Sequence, residues 1–62
     1  MKIYYYDTND KLLAIRKTNK IPNTKDKVEL SYSKSSLKKA LYEIYSIEFT
    51  NEEIIKVWLI KQ

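Results

Sequence analysis

The feature that most constrains this chain is its last third, Leu41 to Lys61, LYEIYSIEFTNEEIIKVWLIK. Two apolar runs flank a polar break, Thr50-Asn51-Glu52-Glu53, and no other segment holds enough apolar material to seed a core. Tyr42 and Ile44 alternate, as do Ile55, Val57 and Leu59, which is strand periodicity with the break as a hairpin turn. A helical reading competes. Thr50 and Glu53 form a capping box, Phe49 is placed to staple onto Ile54, and Leu37, Ala40, Leu41, Ile44 and Tyr45 recur at helical spacing. Yet Ile54 to Ile60 is dense in β-branched and aromatic residues, with Lys56 its one polar position. As a helix it would be apolar nearly all round, and a short chain has little to bury it against. Strands are the expectation.

The rest of the chain repeats that bias. Tyr4-Tyr5-Tyr6 in Lys2 to Tyr6 favours a strand, Asp7-Thr8-Asn9-Asp10 supplies turn formers, and Leu12 to Ile15 returns. Pairing Ile3 with Ile15 and Tyr5 with Leu13 puts Tyr4, Tyr6, Leu12 and Ala14 together on the other face. Both faces are then apolar, whereas a sheet covering a core on one side alternates. Lys17 to Lys25 holds Pro22 and reads as an exposed connection. Lys27 to Tyr32 alternates cleanly, with Val28, Leu30 and Tyr32 inward. Ser33 to Lys39 is polar and basic, a loop or a helical turn within 35–40.

Strands are expected at about 3–6, 12–16, 27–32, 41–49 and 54–61. The expected fold is all-β: a small five-stranded antiparallel bent sheet or partly open barrel of SH3 or OB type. The alternative is α+β, a hairpin followed by C-terminal helices. With no Gly, bends fall to bulges and positive φ angles to Asn and Asp. Tyr42/Ile44 and Ile47/Phe49 are out of phase by one residue, which places a bulge at Tyr45-Ser46.

Pro22-x-x-x-Asp26-x-Val28, then Tyr42-x-Ile44-x-x-Ile47-x-Phe49, then Val57-x-Leu59, resembles a pattern in short phage and prophage proteins. The likeness covers residues 22–60. It departs at Lys25, where the pattern carries Gly, and in a longer loop from Ser31 to Ala40. The resemblance implies a small β fold and a mobile-element origin. It also implies stoichiometric binding and inhibition of a host protein, such as a component of a bacterial defence system.

Sixty-two residues make one small domain. Such a chain buries only ~60% of the surface that its unfolded form exposes. Without Cys or His it has neither a disulfide nor an ordinary zinc site to help. Hydrophobic residues nonetheless make up 44%, more than one layer hides. Self-association, most simply as a dimer, is the expected remedy.

The same absences argue against an enzyme. The commonest general base and the thiol nucleophile are missing, and without Gly there is no phosphate-binding or dinucleotide loop. Lys34 beside Ser31, Ser33, Ser35 and Ser36 makes a Ser–Lys dyad conceivable, though a polar loop is the plainer account. Glu52-Glu53 and Asp7/Asp10 read as turn formers rather than paired catalytic carboxylates. No catalytic, metal-binding or cofactor-binding residue is expected, and no cofactor.

Binding remains. The candidate protein-interface residues are Tyr4, Tyr6, Leu12, Ile54, Trp58 and Ile60, which face outward if Ile55, Val57 and Leu59 face the core. Trp58 packing beneath a loop is the competing account. The net charge of +4 also permits a nucleic-acid partner, although a Lys-rich composition gives the same surplus without one. The candidate basic patch is Arg16, Lys17, Lys20, Lys25, Lys34, Lys38 and Lys39, interleaved with Tyr4, Tyr6 and Tyr32 as phosphate-tracking and base-stacking groups. No apolar run approaches the ~20 residues of a membrane span. The first residues lack the apolar stretch of a signal peptide. No membrane association and a cytoplasmic setting in a bacterial host are therefore expected.

Overall fold

A computed structural model describes residues 1–31 and 39–62. Five strands, β1 (Lys2–Tyr6), β2 (Leu12–Lys17), β3 (Lys27–Ser31), β4 (Lys39–Phe49) and β5 (Ile54–Lys61), build one sheet in the order β2-β1-β5-β4-β3. The sheet curls into a half-barrel, and the all-β expectation holds. Three pairings are antiparallel. The fourth, β1 against β5, is parallel, so the sheet is mixed rather than wholly antiparallel. The parallel ladder lies at the centre, where β1 and β5 are each flanked on both sides; such pairs are the ones that sheets normally shelter.

The alternative with C-terminal helices is overturned. Instead of a Thr50/Glu53 cap, Asn51 Oδ1 accepts from the N–H groups of Glu53 (2.8 Å) and Ile54 (2.9 Å). Thr50 N–H donates to the Ile54 carbonyl across the hairpin (3.2 Å). A short Asx-type turn satisfies the same donors that a helix N-terminus would have left open. β-branched density in Ile54–Lys61 then decides for the strand. The helical turn within 35–40 and the inward Tyr32 fall at least partly outside the described residues. Lys39 and Ala40, which are described, belong to β4.

The core lies on the concave side. Ile3, Tyr5, Val28, Leu30, Ile44, Ile55, Val57 and Leu59 form one buried cluster, with Met1, Leu13, Ala14, Tyr42 and Ile47 packed against it. Val57 at 0% and Leu59 at 1% exposure are the most enclosed. Each contributes about 1.5–3 kcal/mol by leaving water.

Two bulges bend the sheet where glycines are lacking. In β4 the register slips between Ile44 and Ser46, so Ile44 opposes Leu59 and Ile47 opposes Val57 on the same inner face. Tyr45 is the extra residue, as the phase break foretells. A second slip, between Tyr5/Tyr6 and their β2 partners, corrects the expected first hairpin. Tyr5 pairs with Ala14 and Tyr4 with Ile15, while Tyr6 pairs with Leu12. Ala14 thus lies on the core side and Ile15 on the outer side, the reverse of the simple pairing, because Leu13 is the additional residue.

Positive φ falls on Asp10 (62°) and Lys25 (74°). Asp10 fits the expectation that Asn or Asp fills such places; Lys25 does not. The Lys25 backbone is held there by donation to the Ile44 carbonyl (2.8 Å), and Ile44 donates in turn to Asp26 (2.9 Å). That pairing extends the β3–β4 ladder by two residues and offsets the steric cost of a left-handed Cβ.

A candidate protein-binding face on the outer sheet surface

Strand alternation turns every second residue away from the core. Register then determines which outward residues become neighbours. One row across the outer face runs Ile15, Tyr4, Lys56, Glu48; the next runs Leu12, Tyr6, Trp58, Ser46. A row beyond holds Ile60 opposite Glu43, which opposes Lys27. Below the first row lie Lys17, Lys2 and Ile54. The six interface candidates therefore share one surface, joined by Ile15. Tyr4 and Tyr6, near the N-terminus, reach Ile54, Trp58 and Ile60, near the C-terminus, through the parallel β1–β5 pairing.

The centre of this face is ordered. The rings of Tyr6 and Trp58 stack at 5.5 Å between centroids with a 23° interplanar angle. Trp58 Nε1 donates to Asp10 Oδ1 at 2.8 Å. Asp10 belongs to the β1–β2 turn, which is pinned by Asp7: its Oδ1 accepts from the N–H groups of Asn9 (2.8 Å) and Lys11 (3.0 Å). Trp58 is consequently half-buried. It faces outward, as the strand phase requires, and is also steadied by a turn residue. Tyr4, Tyr6 and Ile54 are likewise half-buried, while Leu12 (44%), Ile15 (51%) and Ile60 (41%) stand exposed around them.

Asp10 is thus a site residue that sequence reasoning classed as a turn former alone. The only hint was its reach across the hairpin, which depends on β5 lying beside β1.

The candidate basic residues do not gather into one patch. Lys17 sits on the outer face opposite Lys2. Arg16 is on the inner face, opposite Ile3, and with Lys20 and Lys39 borders the opening between β2 and β3. Lys25 is in the β2–β3 connection, and Lys39 lies 3.9 Å from Glu29. Lys34 and Lys38 lie outside the described residues, as do Ser33, Ser35 and Ser36 of the conceived dyad. Among the described residues, Lys27 pairs with Glu43 at 2.6 Å. Its solvent exposure limits that pair to about 1 kcal/mol at most.

Asp7 and Asn51 carboxylate and amide oxygens serve their own turns, which is what turn chemistry asks of them. Among the described residues, no group of three His, Cys, Asp or Glu is placed to hold a metal ion. Nor is any helix long and apolar enough to cross a membrane. What the outer face offers chemically is therefore apolar and aromatic contact area with a polar margin of Lys56, Glu48, Glu43 and Lys2. No protein-family model, curated protein or solved structure matches this chain.

Proposed function

We propose that this chain is a non-enzymatic binding protein that docks its outer sheet face on a larger protein and, when free, pairs with a second copy through that face. One observation carries the reading: Leu12, Tyr6 and Trp58 form a single row, extended by Ile15, Tyr4 and Ile60, on the side of the sheet opposite the core. Aromatic anchors at the centre of a patch, held by stacking and one hydrogen bond, lose little freedom on docking. The resemblance to phage proteins extends this reading to a stoichiometric inhibitor of a host protein.

A second reading, nucleic-acid binding, draws on Lys17 opposite Lys2 with Tyr4 alongside. Like charges directly opposite on one face repel, and a phosphate between them would relieve that. A stacking platform with basic flanks is also how single strands are held.

Salt separates the two. The chain, immobilised and exposed to a bacterial lysate, is expected to retain a protein partner equally at about 50 mM and about 200 mM salt, and to lose it with Trp58→Glu. Nucleic-acid binding would fall steeply over that range. Capture that collapses with salt and ignores Trp58 would overturn the protein-interface reading.

A further inference from the structure

β2 and β3 are the two edges of the sheet, and the curl brings them to face each other across a cleft of about 640 Å³. Ile3, Tyr5, Val28 and Ile44 line it from the core side. One side chain spans it. Arg16 Nη2, carried on β2, donates to the backbone carbonyl of Glu29 on β3 at 2.6 Å, and the guanidinium lies 5.7 Å from the centre of the Tyr5 ring.

Along an antiparallel strand, the N–H and C=O of one residue point to the same side, and successive residues alternate. The Asp26 carbonyl accepts from Ile44 on β4. By phase, Val28 and Leu30 also turn to β4, while Lys27, Glu29 and Ser31 turn to the cleft. The Arg16 bond to the Glu29 carbonyl confirms the phase independently. On β2, Thr18 donates to Met1, so Arg16 turns its backbone to β1, and Ile15 and Lys17 turn theirs to the cleft. Among the described residues no further strand pairs with either edge. The guanidinium therefore stands where the N–H of an added strand would stand.

The opening carries more cations than carboxylates, Arg16, Lys20, Lys27 and Lys39 against Asp26 and Glu29. Of the cations around it, Lys27 is paired with Glu43 and Lys39 approaches Glu29. Arg16 and Lys20 have no carboxylate partner among the described residues. β2 and β3 run in opposite directions, since β3 follows β5 and β1 while β2 opposes them. An entering strand of either polarity then finds an antiparallel partner on one side.

We propose that this cleft takes an extended acidic peptide segment of a partner protein as a sixth strand. Its backbone pairs with Lys27, Glu29 and Ser31 or with Ile15 and Lys17, and one of its carboxylates takes the Arg16 guanidinium from Glu29. Edge pairing supplies affinity without regard to most side chains, and the Arg16 fork supplies the acidic preference. The site does not depend on the outer face.

The test is a titration of the isotope-labelled full chain with an alternating Glu-Val heptapeptide and its Lys-Val counterpart, followed by amide shifts and hydrogen exchange. The acidic peptide should shift, and protect from exchange, the amides of Lys27 and Glu29 or of Ile15 and Lys17. Arg16→Glu should weaken binding at least about tenfold. Arg16→Lys, which keeps the charge and loses the fork, should weaken it a few-fold. Phe49→Ala, at an exposed position that lines neither surface, should bind as the parent chain does. Cleft amides that shift while Tyr6 and Trp58 stay still would leave this reading standing without the outer-face one. Equal affinity for the Lys-Val peptide, shifts confined to Tyr6 and Trp58, or no response to either peptide would overturn the proposal.

Discussion

Tyr6 and Trp58, 52 positions apart in the chain, sit directly opposite each other on the parallel β1–β5 ladder with their rings stacked 5.5 Å apart. The contact joins the first strand to the last on the solvent side of a one-layer sheet. It adds to stability and builds the middle of the candidate interface with the same atoms. A double-mutant cycle of Tyr6→Leu and Trp58→Leu, followed by urea unfolding, should give a coupling of about 0.5–1.5 kcal/mol. Strictly additive losses would mean that the rings merely share a surface.

Asp10 combines a left-handed backbone with acceptance of the Trp58 N–H. Asp10→Asn keeps a side-chain oxygen and tolerates the same φ, so its cost should be under about 0.5 kcal/mol. Asp10→Gly relieves the backbone and deletes the acceptor. Asp10→Ala loses both advantages and should cost the most, about 2 kcal/mol. Chemical denaturation should rank the three in that order, and the Trp58 indole N–H resonance should move in the last two.

Neighbouring residues on β5 should behave oppositely. Leu59 is 1% exposed and Ile60 41%. Leu59→Ala opens a cavity and should cost about 2–5 kcal/mol, which is comparable to the whole stability that a core of this size supplies. The variant should be largely unfolded by circular dichroism. Ile60→Ala should remain folded and lose association instead.

Lys25→Gly removes a Cβ from a φ of 74°. The gain from relieved strain exceeds the added freedom of the unfolded chain, so the variant should be more stable by about 0.5–1 kcal/mol. An unchanged or lower urea midpoint would show that the backbone bonds around Ile44 already accommodate lysine without strain.

Most of the strand plan was legible because strand periodicity is local. Val28/Leu30 and Ile55/Val57/Leu59 announce their faces, and the one-residue phase break in Leu41 to Phe49 announces the Tyr45 bulge. What stayed hidden depends on neighbours distant in the chain. Nothing local to Lys2–Tyr6 says that it pairs in parallel with Ile54–Lys61, and that pairing alone merges two outward groups into one face. Leu12 to Ile15 is apolar on both faces, so its pattern does not fix a register, and the bulge at Leu13 went unseen. The Asp10 bond to Trp58 and the Lys25 bond to Ile44 join partners that the sequence does not place nearby. Arg16 reads as one more surface cation until the curl sets Glu29 across from it.

Sedimentation equilibrium at micromolar concentration tests the outer face most directly, with the parent chain beside Trp58→Glu and circular dichroism to establish that both are folded. The parent chain should sediment well above the 7.5 kDa of one copy, at low and moderate salt alike, and Trp58→Glu should fall to that single-copy mass. A parent chain that stays at one copy's mass, or a heavier species that Trp58→Glu leaves untouched, would contradict it.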